Sequence, residues 1–211
     1  EYFKNIKMNN YIFTEETNDS MNLAFNKNLS DMRKAWLYSY DEQNILNHSD
    51  TEIPIQDFIN KELIHFSNSD TLRSIGSIND GLKPSQRKIL YSCLKRKLYS
   101  EIKVAQLSGY VSETSAYHHG EMSLQSAIIC MAQNFVGSNN INLLMPNGQF
   151  GTRIRGGQDS ASSRYIHTEL NKIVDKIYPS LDLPLLTYND DYGMFVEPKY
   201  YVPIIPMVLV N

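Results

Sequence analysis

The chain has 211 residues, a formal net charge of −3 and 42% hydrophobic residues. That is enough sequence for a real core in one or two domains. The longest apolar run, 202–210, holds two prolines and falls far short of a membrane span. Cys93 and Cys130 are the only cysteines, without C-x-x-C spacing, so a disulfide scaffold is excluded and both read as core thiols in a reducing compartment. No basic-then-apolar leader opens the chain.

The charge is unevenly spread. Residues 1–70 carry a net −6, residues 71–175 a net +5 and residues 176–211 a net −2. A basic middle between acidic flanks is a localised field that favours anionic ligands.

Along the chain, "EYFKNIK" opens without capping logic, and residues 1–52 are polar. Two amphipathic pieces follow, "MNLAFNKNLSDMRKAWLYSY" and "IQDFINKELIHFS", joined by the loop "HSDTEIP". In the second piece Phe58, Ile59, Leu63 and Phe66 predict one apolar stripe. "DGLKPSQRKILYSCLKRK" begins with a turn at Asp80-Gly81 and sets Pro84 in a first helical turn. Helical spacing puts Arg87, Lys88, Tyr91 and Lys95 on one arc, opposite Ile89, Leu90, Cys93 and Leu94. Residues 83–103 hold seven Lys+Arg against one acid, Glu101, so the arc is read as exposed and phosphate-facing rather than merely solvated.

A short helix over about 103–111, a polar turn and a longer helix over about 120–133 are expected next, compatible with a helix-turn-helix unit. The second helix is apolar nearly all round, which predicts burial. "GSNNINLLMPNGQFGTRIRGGQ" reads as two short strands and turns, such as a wing. In "HTELNKIVDKIYPSL", Thr168 is expected to cap a helix that carries Leu170, Ile173, Val174 and Ile177 and ends at Pro179. The tail, "FVEPKYYVPIIPMVLVN", reads as extended and as cut inside a larger fold.

Few residues offer chemistry. Asp190-Asp191 reads as a solvated turn, and no complete metal site is visible. His118 and His119 are adjacent and so diverge; one could donate to an anion. No nucleophile elbow, phosphate loop or dinucleotide fingerprint occurs. "GTRIRGGQDSASSRYIHTEL", residues 151–170, combines Gly151, Gly156 and Gly157 with Arg153, Arg155, Arg164 and Tyr165. It reads as a flexible cationic loop with an exposed phenol. A phenol of pKa about 10 attacks a phosphodiester only where cations stabilise phenolate and the developing phosphorane charge. Those three arginines, with His119 brought in by folding, could supply that charge. The residues alone also leave open a DNA-binding module with a structural Tyr165, or an inert scaffold.

The blocks "DGLKPSQRKIL", "KVAQLSGYVSETSAYHHGE", "AQNFVGSNNINLLMPNGQFGTR", "SSRYIHTEL" and "VEPKYYVPIIPMVLVN" resemble, in order, eukaryotic-type DNA topoisomerase II. The resemblance covers essentially the whole chain. It implies an α+β fold with three parts. Residues 1–70 would follow a metal-binding Toprim domain. Residues 71–185 would be a mainly helical winged-helix domain, helix-turn-helix plus β wing. Residues 186–211 would begin a following tower domain. It also implies that Tyr165 is the nucleophile that forms a 5′-phosphotyrosyl link, that Arg164 and His119 hold the scissile phosphate, and that Arg73, Lys83 and Arg87 bind the gate DNA backbone. Lys88, Lys95, Arg153 and Arg155 are added as DNA-binding on charge. Double-stranded DNA is the implied partner, in a nuclear homodimer without membrane attachment. Mg²⁺ and ATP would be bound by domains outside this chain. "SIGSINDG" departs from the family's "SIPS" before its "DG" turn, and Gly76 is expected to loosen entry to the basic helix.

Overall fold

The computed structural model describes residues 8–211, so the opening stretch "EYFKNIK" lies outside the described residues. The chain forms two compact units, residues 1–72 and 73–211.

In the first unit, β1 (Asn10–Ile12) pairs in parallel with β2 (Glu52–Pro54), in register Tyr11 to Ile53. Between them lie α1 (Thr17–Phe25), a 3₁₀ turn (Lys27–Leu29) and α2 (Ser30–Tyr38). The first amphipathic piece is therefore not one helix. Asn26 is extended, and its side chain accepts from the Asn28 N–H at 3.0 Å, which restarts the chain as a 3₁₀ turn. The second piece becomes α3 (Ile55–Phe58), a π-helical turn (Ile59–Leu63) and α4 (Ile64–Ser74). The wider turn shifts the helical register. Ile59 and Ile64 are the buried residues, while the predicted stripe member Phe66 is 62% exposed.

The second unit is built on three mutually packed helices: α5 (Pro84–Arg96), α6 (Val104–Ser115) and α7 (Glu121–Ala132). Pro84 begins α5, and the Gln86 side chain accepts from the Lys83 N–H at 2.9 Å. The apolar face of α5 falls as its spacing predicts: Ile89, Leu90 and Cys93 are fully buried. Val104, Leu107 and Val111 of α6 and Leu124 and Ile128 of α7 meet them in the same core. Burial pushes the Cys93 thiol up to about 12, so it remains a neutral core thiol. Cys130, expected in the core, is exposed on α7. All-round burial of α7 is likewise corrected, because Met122 is 82% exposed and only one face of the helix is covered.

The wing is smaller and more dispersed than expected. β3 (Ile102–Lys103) pairs antiparallel with β4 (His167–Thr168), and single bridges join Leu144 to Leu170 and Asn147 to His167. Segment 143–147 thus pairs with chain some twenty residues later, not with its immediate neighbour. Thr168 is not a helix cap: it lies in β4, and its hydroxyl donates to the Met145 carbonyl at 2.8 Å. Leu170 bridges to Leu144, and only α8 (Val174–Ile177) is helical. Cross-strand pairing outweighs the helical spacing because it buries Ile166, Thr168 and Leu170 on one side.

Residues 186–211 lie in the same compact unit as residues 73–185. β5 (Tyr188–Asp191) and β6 (Met194–Pro198) form a hairpin whose turn residues, Tyr192 and Gly193, both have positive φ. The chain ends in α9 (Met207–Val210), a helix where an apolar strand was expected. Val196, Tyr201 and Met207 are buried. Gly76 does not loosen the turn before α5. A Cβ there would lie 2.6 Å from the Gly81 carbonyl oxygen, so the glycine permits a close backbone approach.

Candidate nucleic-acid interface

The sequence-predicted residues fall into three places, and folding treats the three differently.

The first is the arc of α5. Arg87 and Lys88 are not on an exposed cationic face, which corrects that expectation. Arg87 is 6% exposed. Its Nε donates to Asp80 Oδ2 at 2.8 Å, and its Nη2 donates to Asp80 Oδ1 at 3.0 Å and to the Leu82 carbonyl at 2.9 Å. Asp80 also accepts from the N–H groups of Leu82 and Tyr201, both at 2.9 Å, so the carboxylate ties the turn before α5 to the tail. This network holds the guanidinium through Nε and Nη2 and leaves the residue almost wholly buried. Lys88 Nζ donates to Glu197 Oε2 at 2.8 Å and to the Ser115 carbonyl at 2.5 Å. Asp80 and Glu197 are the residues sequence reasoning missed. Asp80 was read only as a turn former, and Glu197 lies 109 positions from its partner. Lys95 does remain exposed, 5.4 Å from the centre of the Tyr91 ring.

The second place is a cleft of about 440 Å³ lined by Arg73, Lys83, Ser85, Lys88, His119 and Ser123 among others. It opens between the N-terminal turn of α5 and the turn joining α6 to α7. Ala116, in the left-handed region at φ 46°, ends α6 and swings the chain into His118-His119. His118 Nε2 lies 2.8 Å from Asp191 Oδ2, which holds that imidazole against the β5–β6 hairpin. His119 packs edge-on against Tyr117, with ring centres 5.4 Å apart. Among the described residues no carboxylate lines the cleft, while Arg73, Lys83, hydroxyls and the positive end of the α5 dipole do, beside Lys88, which Glu197 holds. Chemically it suits a polyanion.

The third place is the loop 151–166, which is rigid where flexibility was expected. Thr152 donates to Asp159 through its N–H at 2.7 Å and through its hydroxyl at 2.9 Å, which closes the loop at its neck. The backbone hydrogen bond holds the Asp159 carboxyl below the usual aspartate range. Gln133 Nε2 donates to the carbonyls of Phe150 at 2.8 Å and Gly157 at 3.1 Å. Gly151 and Gly157 are required by contact: a Cβ on Gly151 would lie 2.6 Å from the Gly157 oxygen, and one on Gly157 would collide with Gln133 Nε2. Both have positive φ. The glycines thus tighten the loop instead of freeing it.

Tyr165 stands on a turn fixed on both sides. The Ile166 and Ser163 carbonyls accept from the first free N–H groups of α6, Val104 at 3.0 Å and Ala105 at 3.1 Å. The Ser163 hydroxyl donates to Gln125 on α7 at 2.7 Å, and the Ile166 side chain is buried. Between these anchors the phenol is 78% exposed. Tyr165 precedes β4, not a helix as expected. Arg153, Arg155 and Arg164 are exposed, and among the described residues none of the three makes a salt bridge. His119 belongs to the cleft, and no hydrogen bond joins it to Tyr165 among the described residues. Among the described residues, no three or more His, Cys, Asp or Glu side chains come together as a group that could hold a metal ion.

Two family models divide the chain near the boundary between its compact units. One, described as the C-terminal associated domain of TOPRIM, matches residues 1–71. The other, describing the A subunit of DNA gyrase/topoisomerase IV, matches residues 73–211. The chain belongs to this DNA gyrase/topoisomerase IV family. Within it the similarity runs to eukaryotic proteins. The chain is 55% identical over 214 residues to DNA topoisomerase 2 of Saccharomyces cerevisiae, with all of this chain and 15% of the relative covered. It is 54% identical over 213 residues to the mitochondrial DNA topoisomerase 2 of Dictyostelium discoideum, with all of this chain and 17% of the relative covered. The crystal structure of the Plasmodium falciparum topoisomerase II DNA-binding, cleavage and re-ligation domain matches with a TM-score of 0.79 and 50% identity. That match covers 95% of this chain and 28% of the other. The chain therefore spans about a sixth of the length of these curated relatives. Its α+β, winged-helix-like architecture is that of the topoisomerase II cleavage core.

Proposed function

We propose that this chain is the tyrosine-bearing part of the cleavage-religation core of a type II DNA topoisomerase, and that it binds duplex DNA and supplies the nucleophile for reversible strand breakage. The observation that carries this reading is Tyr165: an exposed phenol on a doubly anchored turn, next to Arg164 and on the same closed loop as Arg153 and Arg155.

The phenol oxygen attacks a backbone phosphorus. A P–O bond forms to Tyr165 as the P–O3′ bond breaks, the phenolic proton is released, and the departing 3′ oxygen gains a proton. The products are a 5′-phosphotyrosyl link and a free 3′-OH. Religation is the reverse attack by that hydroxyl, so the bond energy is kept in the protein link. Arg164 stabilises the phenolate and the charge that builds on the phosphoryl oxygens. The exposed loop arginines and the cleft residues Arg73, Lys83 and His119 hold the duplex by its backbone, with Lys95 a further exposed cation on α5. Arg87 and Lys88 serve instead by fixing α5 and the cleft wall. Strand passage, ATP hydrolysis, Mg²⁺ binding and dimerisation are assigned to parts of the protein outside these residues. A nuclear site follows from the same reading, although one relative is named mitochondrial.

The test joins this chain to the remaining length of its relatives and looks for protein covalently attached to DNA after denaturation. Tyr165→Phe should abolish attachment while leaving duplex binding within about twofold, since a ring remains and only a hydroxyl is lost. Attachment retained by Tyr165→Phe would overturn the reading in favour of a non-catalytic DNA-binding module.

A further inference from the structure

Tyr165 and His119 stand on different segments. The phenol is on the turn over 162–166, and the imidazole is in the turn joining α6 to α7. An exposed phenol meets a phosphate productively only from a backbone held in place, so something has to fix one segment against the other. The backbone bonds from Val104 and Ala105 tie the Tyr165 turn to α6. The side chain of Gln125 ties it to α7.

The Ser163 hydroxyl, two residues before Tyr165, donates to Gln125 Oε1 at 2.7 Å. Gln125 Nε2 has two hydrogens and finds two acceptors: Glu121 Oε1 at 2.7 Å and the Ser108 hydroxyl at 3.4 Å. Ser108 is fully buried on α6, and its hydroxyl donates to the Ala105 carbonyl at 2.8 Å. The Ala105 N–H in turn donates to the Ser163 carbonyl at 3.1 Å. These bonds close a circuit through α6, α7 and the Tyr165 turn. Glu121 sets its direction. Reversing the amide would bring Gln125 Oε1 against the Glu121 carboxylate, so the oxygen stays toward Ser163 and the serine is the donor. Glu121 opens α7 two residues past His119. The start of α7 therefore follows directly on the cleft histidine and also grips the turn that carries the phenol.

We infer that Gln125 is a positioning residue: through Ser163 it fixes the Tyr165 turn against the start of α7, and so sets the phenol's place relative to His119 and the phosphate. The inference rests on the reading of Tyr165 as the nucleophile. It adds a residue that acts through another side chain and not on the phosphate itself.

The experiment follows covalent attachment to duplex DNA in a single turnover, with this chain joined to the remaining length of its relatives. Gln125→Leu and Ser163→Ala should each slow the approach to the final level about tenfold, part of the roughly hundredfold that an ångström of misplacement costs. The final level and the duplex affinity should stay within about twofold, because mispositioning raises the barrier equally in both directions. The double variant should be no slower than either single one, since both break the same contact. Ser163→Thr, which keeps the hydroxyl, should restore most of the rate. Attachment at the unmodified rate in Gln125→Leu overturns the inference. So does a multiplied loss in the double variant, or a final level and urea midpoint that fall together with the rate, which marks a role in folding alone. All three outcomes leave the nucleophile standing; that reading fails separately, when Tyr165→Phe still attaches.

Discussion

Two sets of cations in this chain look alike in sequence and meet opposite fates. Arg87 and Lys88 on α5 are withdrawn by carboxylates, Asp80 seven residues away and Glu197 more than a hundred. Arg153, Arg155 and Arg164 on the loop stay exposed, and the nearby acid, Asp159, turns to the backbone and hydroxyl of Thr152. A count of acids within the local sequence read the α5 arc as facing phosphate. The tertiary partners withdraw two of its cations. Cations that stabilise a fold and cations that meet a ligand are distinguished by what lies opposite them in space.

The largest expected effect breaks the comparison at Arg87. Arg87→Ala should cost about 3–5 kcal/mol in urea unfolding, because it strands Asp80 as a buried, unpaired carboxylate. Arg153→Ala and Arg155→Ala should each stay within about 0.5 kcal/mol of the unmodified chain. They should instead lower duplex affinity and flatten its dependence on salt by about one unit of slope per lost phosphate contact. If Arg87→Ala unfolds normally but loses salt-dependent DNA binding, the assignment of the two sets is inverted.

A smaller effect sharpens the account of the loop. Gly157→Ala should destabilise by about 1–3 kcal/mol, since the new Cβ would collide with Gln133 on a backbone already at positive φ. Gly156→Ala, with open space around the same sort of backbone, should cost only about 1 kcal/mol. Equal costs at the two positions would argue for a loose loop.

The smallest effect is a pH dependence of loop closure. Folding depresses the Asp159 carboxyl, so its contribution is present above the ordinary aspartate value of about 3.9 and fades as pH falls through its lower folded value. Amide exchange at Thr152 and Gly157, corrected for the intrinsic rate, should therefore speed up on acidification below about pH 4. Asp159→Asn should remove that step.

Much of the second unit was legible in the sequence. Pro84 announced the start of α5, and its apolar spacing named Ile89, Leu90 and Cys93 as core. The loop's arginines and phenol were visible as a group because they are near neighbours in the chain. Three things were not. The π turn at Ile59–Leu63 displaced the buried stripe, since a one-residue change in helical register leaves no mark on composition. Thr168 looked like a cap because capping is a local rule, whereas its actual partner, the Met145 carbonyl, arrives through strand pairing. Glycine richness read as flexibility because sequence shows the missing side chain but not the Gln133 amide that fills its place.

By itself, then, the sequence determined where the helices of the core begin, which apolar residues α5 buries, and that a cationic loop carries Tyr165. Those features depend on spacing and on residue type within a few turns of chain. Only the tertiary structure decided which charges remain available and that the loop is held closed. Each of those depends on a partner that folding brings from elsewhere: Asp80 and Tyr201 around Arg87, Glu197 beside Lys88, and Gln133 against Gly157.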